Sequence, residues 1–495
     1  MNLIEITVVL IYAFFAGGTA SCFRSKNPAK LLLVPVISSS AVFLGGIAFL
    51  IETRPENTVL LFGGTLIIDS LSLLHILLVN TIFLITSIYT TGYFREKIKC
   101  GALKASYAKR FSILWQTFQA VLLLVLLSNN IGLMWISLEA TTIVSAFLII
   151  SDAELSIEAT WKYLLICSVG IVFAFFGTML TVAAARGMQS SEGVYLFSYL
   201  SANADEIDPR LMLLAFILVV VGFGTKAGLS PMHTWLPDAH SQAPTPVSAV
   251  FSGVMLNCAL FCIMRYLPIT EAALDFDGQA RSIVLLCGFM SLIFAAVFIP
   301  IQSDVKRMLA YCSVEHIGII AIGLGLGGLG IFAALLHTVG HSLSKVLAFF
   351  SAGSIADHFG TREMKDIQCA SHKVPLWGNT FFLSCLVLMG VAPSAVFMSE
   401  FLLAKELFFT GKYIILAFFL LGTLAVFFSM LRYTMLISFG KGPKEQGVES
   451  RGRRVDTVIV ITCLLLLLFL GLWIPAPLSN FLKDAVSIIE KGATL

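Results

Sequence analysis

The chain is written as a succession of apolar runs. Stretches of about twenty predominantly apolar residues fall at 3-23, 30-51, 69-91, 111-128, 130-151, 157-184, 211-229, 247-268, 280-302, 306-325, 329-356, 374-393, 413-438 and 455-475. A helix of about twenty residues crosses the hydrocarbon core of a bilayer, and it does so with its backbone donors and acceptors satisfied internally. The pattern predicts an all-α integral membrane protein of about fourteen transmembrane helices. Composition agrees: charged residues make up 12% and apolar residues 58% of the 495, whereas a soluble protein is about a quarter charged. The net charge of +3 is too small and too dispersed to suggest a polyanionic partner such as nucleic acid. The first run lacks a basic flank and an A-x-A-type cleavage site, which predicts a retained helix.

Lysine and arginine set the orientation. The basic loops are Arg24 to Lys30, Arg95 to Arg110, Lys306 with Arg307, Arg362 to Lys373, and Lys441 to Arg454, and all five fall on one side of the predicted spans. Basic loops stay in the cytoplasm. The opposite loops carry Asp205, Glu206 and Asp208, or Glu271, Asp275 and Asp277. Both termini are therefore expected outside, in a multi-pass protein of the plasma (inner) membrane.

Ten cysteines are present and none forms a CxxC. Most lie inside apolar runs, where cysteine behaves as a small apolar residue. Cys258 and Cys262 share a helix face, yet no histidine or carboxylate joins them. GLGLGGLG at 323 to 330 follows a membrane helix rather than the strand a dinucleotide site requires. No cofactor or metal is expected in this chain, and any electron transfer belongs to partners.

Charge inside a membrane costs several kcal/mol, so each surviving ionisable residue is a candidate for function. Glu139 stands near the middle of the fifth span, where Thr141 or Thr142 could satisfy it. Lys226 comes five residues before Pro231, in VVVGFGTKAGLSPMHTWLPDAH, where the proline frees a backbone carbonyl. An ammonium in apolar surroundings releases its proton more readily and a nearby carboxylate opposes that, so such a pair can be switched. The alternative role for Lys226 is to fill the helix break. His337, His341 and Lys345 recur every four residues of the eleventh span and so share one face. Glu400, past Pro393 in the second half of another broken helix, is a candidate exit group or a partner for Lys405. Lys162, with Glu158 and Asp152, lies near a cytoplasmic helix end where snorkelling is cheap. Glu315 and His316 of the tenth span divide equally between structural and functional roles, and Asp304, Lys306 and Arg307 read as a capping and orientation cluster.

Ser137-Leu138-Glu139 in the fifth span is echoed by Ser313-Val314-Glu315 in the tenth, and the seventh and twelfth spans are both interrupted by proline, at Pro231 and Pro393. Further helical pieces are expected near 231-241 and 394-411. Paired breaks five spans apart are the pattern of an inverted repeat. It divides the chain into a three-helix segment (1-110), a first inverted repeat (111-268), a second (280-438), and a last helix with its tail (455-495).

The stretch GTKAGLSPMHTWLPDAHSQAPTPVSAVFSGVMLN, together with WISLEATT, QSDVKRMLAYCSVEHIG and HTVGHSLSK, resembles the antiporter-like subunits shared by respiratory complex I, membrane-bound hydrogenases and multisubunit cation/proton antiporters. LEATT and SVEHIG are most similar to component F of hydrogenase-4. The resemblance implies two inverted five-helix repeats and proton translocation driven by redox chemistry in a peripheral arm. That arm would carry iron-sulfur clusters and nickel-iron or flavin, alongside other membrane subunits. It implies Glu139 as the acidic residue of the fifth helix, Lys226 as the lysine of the broken seventh, Lys345 as that of the eleventh, and Glu400 as the charged residue of the broken twelfth. Protons would pass through His341 and Lys345 and leave by Glu400. Asn257 departs from the pattern, because relatives place lysine or histidine in the eighth helix, and an amide can bind a water wire but not carry the proton. The family's long lateral helix is likewise not expected in the short tail. Three other readings remain open: a sodium/proton antiporter subunit, a non-pumping scaffold for a soluble redox arm and, more narrowly, a membrane partner in inorganic-carbon uptake. In none of them is the chain an enzyme by itself.

Overall fold

The computed structural model describes residues 3–53, 58–150, 154–188, 190, 192–441 and 453–492. Asp152 and most of the last basic loop lie outside the described residues. Among the described residues thirteen helices are long and apolar enough to cross a membrane. The shorter apolar helix Pro375–Leu388 is continued past a break by Ala395–Phe409, and together these two pieces make one further span, the broken twelfth in chain order. The protein is an all-α, multi-pass membrane protein.

Two elements go beyond the sequence-based expectation. Val59–Leu61 and Leu66–Ile68 pair as a small antiparallel hairpin, turned by Phe62, Gly63 and Gly64 at positive φ. Ala476–Lys491 forms a helix whose buried face is Phe481, Leu482, Ala485 and Ile489. That spacing is one amphipathic stripe.

The chain divides into two compact units. The first comprises Met1–Lys226, Cys258–Ala280 and Asn480–Leu495. Its interior is tied by polar groups that hydrocarbon cannot satisfy. Ser39 donates to Gln119 at 2.9 Å, Ser38 to Gln116 at 2.8 Å, and the Trp115 indole to Ser87 at 2.9 Å. Arg265 forms a buried double hydrogen bond with Asp69, at 2.5 and 2.9 Å, and Asp69 also caps the helix Ser70–Lys99 by accepting from Ser72 N at 2.8 Å. A buried charge is tolerable when it is paired and hydrogen-bonded in this way.

The second unit comprises Ala227–Asn257 and Arg281–Ser479. Its tenth and eleventh spans, Val305–Leu326 and Leu329–Phe359, form a tight helical hairpin. Gly327 and Gly328 turn the chain at positive φ, +80 and +49°. A Cβ on Gly323 would lie 2.5 Å from Gly330 O, so only glycine lets the two helices meet there. GLGLGGLG is thus a hairpin turn. On one face of the unit Asp304 caps the tenth span by accepting from Lys306 N and Arg307 N, at 2.7 and 3.0 Å. Arg307 pairs with Asp238 at 2.5 Å and Arg362 lies 3.6 Å from Asp304. The expected capping cluster is borne out.

Candidate functional site

In the first unit the site is built on the fifth, sixth and seventh spans, Ile131–Ile149, Glu154–Ala184 and Pro209–Ala227. Glycine sets the close approach of the last two. A Cβ on Gly222 would sit 2.3 Å from Ala174 N, and one on Gly170 would sit 2.6 Å from the Thr225 side chain. Small residues at such crossings are how membrane helices pack backbone to backbone. The result places Lys226, one residue from its helix end and 1% exposed, against Tyr163 and Thr142. Lys226 Nζ donates to Thr142 Oγ1 at 3.0 Å and to the Tyr163 hydroxyl. Tyr163 in turn is 2.6 Å from Ser145 Oγ. Glu139 is half-buried. Thr142 and Ser168 present their hydroxyls to it, and Lys226 lies within its field. One carboxylate oxygen, Oε2, has no hydrogen-bond partner among the described residues. Thr142 therefore stands between carboxylate and ammonium, able to accept from one and donate to the other. Thr141, the other candidate to satisfy Glu139, donates to Leu138 O instead.

In the second unit the hairpin turn decides which side chains meet. Residues placed symmetrically about Gly327 face each other across the helix pair, which sets His316 against His337 and brings Lys345 to Leu309, whose carbonyl accepts from Lys345 Nζ at 2.8 Å. His316 Nδ1 lies 2.8 Å from His337 Nε2, and His337 Nδ1 lies 2.9 Å from Ser399 Oγ on the second half of the broken twelfth span. Ser399 gives its own proton to Val396 O at 2.7 Å. Its oxygen therefore accepts from His337 Nδ1, which leaves Nε2 as the lone pair that accepts from His316 Nδ1. His316 Nε2 and both nitrogens of His341 have no partner among the described residues, although His341 is wholly buried and its ring centroid is 5.0 Å from that of His316. Such a file of imidazoles and hydroxyls can pass a proton by exchanging donor and acceptor roles along it.

Glu400 follows Ser399 and closes the file. Its Oε2 would be 2.2 Å from a Cβ on Gly390, and it lines an open pocket of about 400 Å³ with Met389, Phe397, Phe401 and Phe419. Lys405 is not its partner: the ammonium lies 5.9 Å above the Phe409 ring. Glu315 is 3% exposed and sits beside Cys312, in the field of Lys345 and Glu400. It belongs to the cluster more closely than its sequence position suggested. Asn257 donates to Gly253 O at 2.9 Å and to Ser342 Oγ at 3.0 Å, just beyond a single π turn at Phe251–Met255. Such turns recur at functional sites. Its Oδ1 is left without a partner among the described residues. Lys162 pairs with Glu158 at 2.7 Å on the exposed side of the sixth span.

Sequence reasoning passed over Tyr163, Ser145, Cys312 and Ser399. The symmetry of the hairpin about its glycines would have paired His316 with His337. Nothing in the sequence marks Tyr163.

Residues 128–428 match the profile of a family described as NADH:quinone oxidoreductase/Mrp antiporter, transmembrane. That segment holds both sites and more than half of the chain. The chain belongs to this family. A hydrogenase-4 component F homolog from Methylacidiphilum infernorum (isolate V4) is 36% identical over 81% of this chain and 83% of its own length. Hydrogenase-4 component B of Escherichia coli (strain K12) is 28% identical over 73% of this chain, which spans 54% of that larger protein. Among solved structures, a chain of the membrane-bound sulfane sulfur reductase, an archaeal respiratory membrane complex, superposes with a TM-score of 0.87 over 99% of this chain and 98% of its own, at 19% identity. At that identity the likeness establishes the fold. The family resemblance expected from LEATT, SVEHIG and HTVGHSLSK is thus borne out.

Proposed function

We propose that this chain is a proton-translocating membrane subunit of a redox-driven complex of hydrogenase-4, formate hydrogenlyase or complex I type. The observation that carries the proposal is the wholly buried Lys226, held by Tyr163 and Thr142 with Glu139 in its field. A membrane protein pays for a desolvated ammonium only where the charge is used. Glu139 tunes whether Lys226 holds its proton, with Thr142 between them. In the second unit Lys345 and Glu315 load the imidazole file of His341, His316 and His337, and Ser399 hands the proton to Glu400. Asn257 and Ser342 hold water rather than the proton itself.

The paired breaks at Pro231 and Pro393 support the division into inverted repeats at 111-268 and 280-438. The asymmetry of lysine and arginine supports an inner-membrane location with both termini outside. The energy comes from partner subunits: further membrane subunits around this one and a peripheral arm, to which this reading assigns iron-sulfur clusters with nickel-iron or flavin. On this reading the redox catalysis belongs to those partners.

A second reading, a subunit of a multisubunit sodium/proton antiporter, is supported by the family's description. A third, a non-pumping scaffold, is supported by the neutral Asn257. One experiment separates all three. In proteoliposomes holding the assembled complex, redox turnover is started while proton uptake and radioactive sodium are followed together. Uptake that depends on turnover and not on sodium supports the proposal. Proton movement that requires a sodium gradient and ignores turnover selects the antiporter, and turnover without proton movement selects the scaffold.

A further inference from the structure

The second-unit cluster holds more ligand atoms than a proton route requires. One ligand atom from each of His316, His337 and Glu400 falls within 4.8 Å of the other two, and all three come from different helices of the unit, so the set is fixed by packing. Two imidazole nitrogens on one tetrahedral zinc stand roughly 3.3 Å apart, given Zn–N distances of about 2.0–2.1 Å. Here His316 Nδ1 and His337 Nε2 are 2.8 Å apart, so a small opening of the ring pair admits the ion between them.

The outer contacts fit as well. A metal-bound histidine ordinarily donates its other ring N–H to an oxygen, which fixes its tautomer, and His337 Nδ1 already does so to Ser399 at 2.9 Å. The lone pair left at His337 Nε2 is the one a metal takes. His341, buried with both nitrogens unpartnered among the described residues and its ring centroid 5.0 Å from that of His316, lies beside the set but outside it, which leaves the fourth position to water. Glu400 also lines the pocket of about 400 Å³ with Met389, Phe397, Phe401 and Phe419.

We propose that His316, His337 and Glu400 form a binding site for a divalent transition-metal cation, zinc above all, which stops proton transfer through the histidine file. The donor set of two imidazoles and one carboxylate selects zinc, cobalt or nickel over magnesium or calcium, whose preferred ligands are all oxygen. A second group, Cys312, Glu315 and His316, shares His316 but differs by its thiol, so a sulfur shell around the metal would mark its occupation instead. The arrest of transport rests on the function proposed above; the binding does not.

The test separates the two. The assembled complex in lipid nanodiscs is washed with chelator and dialysed against radioactive zinc with no turnover, for wild type and for His316→Gln, His337→Gln and Glu400→Gln. Wild type takes up one zinc per chain more than each variant, or binds it at least about tenfold more tightly, since even an outer-shell loss costs about 10–100-fold. Ser399→Ala keeps all three ligands, spares assembly if the others do not, and weakens zinc within that same 10–100-fold range. X-ray absorption on the zinc-loaded wild type shows nitrogen and oxygen donors with imidazole scattering. Equal zinc uptake and equal affinity in wild type and Ser399→Ala, or a sulfur shell around the added zinc, overturns the site. If zinc binds as described but proton uptake continues in its presence, the site stands and the arrest of transport is refuted.

Discussion

Replacing Tyr163 with Phe removes one oxygen from the centre of the first-unit site and keeps the ring that packs there. Lys226 then loses one of its two hydroxyl acceptors and keeps Thr142 Oγ1 at 3.0 Å. Ser145 is not orphaned, because its hydroxyl also donates to Thr142 O at 3.2 Å. The loss therefore falls on the ammonium. A hydrogen bond to a charged group contributes about 1.5–3 kcal/mol, and each 1.4 kcal/mol is tenfold, so occupancy of this position by the ammonium falls about ten- to a hundredfold. If protons pass through that state, the initial rate of uptake into proteoliposomes, read by a pH-sensitive dye, falls at least about tenfold. Assembly and uncoupled redox turnover persist. Tyr195→Phe, at a side chain 42% exposed, serves as the control and pumps normally. Proton uptake by Tyr163→Phe within about twofold of wild type, less than ~0.5 kcal/mol, would refute the assignment of Lys226 as a carrier held by Tyr163.

Other perturbations follow from the same geometry. Gly390→Ala forces a side chain onto a position with φ +66 and into the place of Glu400 Oε2; proton uptake should fall with the complex still assembled, and normal uptake would remove Glu400 from the route. Ser399→Ala leaves the buried His337 Nδ1–H without its acceptor, which costs about 1–3 kcal/mol, read as a lower midpoint of thermal unfolding together with slower uptake. Arg265→Met strands the Asp69 carboxylate in the first unit and should destabilise the chain by about 3–5 kcal/mol, visible as loss of assembled complex, with Asp69→Asn added to it restoring assembly in part. Lys162→Ala breaks an exposed pair of the sixth span and should change stability by less than about 1 kcal/mol, read as a nearly unchanged midpoint of thermal unfolding.

The architecture was legible because hydrocarbon leaves few choices: a run of apolar residues long enough to span must be a helix, and an interrupted run must be a broken one. The same constraint exposed Glu139, Lys226, Lys345 and Glu400, since buried charge stands out against such a background. The hydroxyl groups that make these charges workable did not stand out. Serine and threonine are common in membrane helices and satisfy themselves on the preceding turn, as Thr178 does on Ala174 O, and a tyrosine reads as one more aromatic, so Ser399 and Tyr163 look ordinary until packing aims them. His316 was underrated for the same reason: its partner is 21 residues away, and only the glycine turn between them makes them neighbours. The hairpin at Val59–Leu61 and the helix Ala476–Lys491 lie outside the spans, where length and hydropathy carry less information.

The most direct measurement compares proton uptake by wild type, Lys226→Ala and Glu139→Gln complexes in proteoliposomes, with redox turnover monitored in parallel. The account predicts that uptake is lost in both variants while the complex remains assembled. Unchanged uptake in both would contradict it and leave the chain as a scaffold for its redox partners.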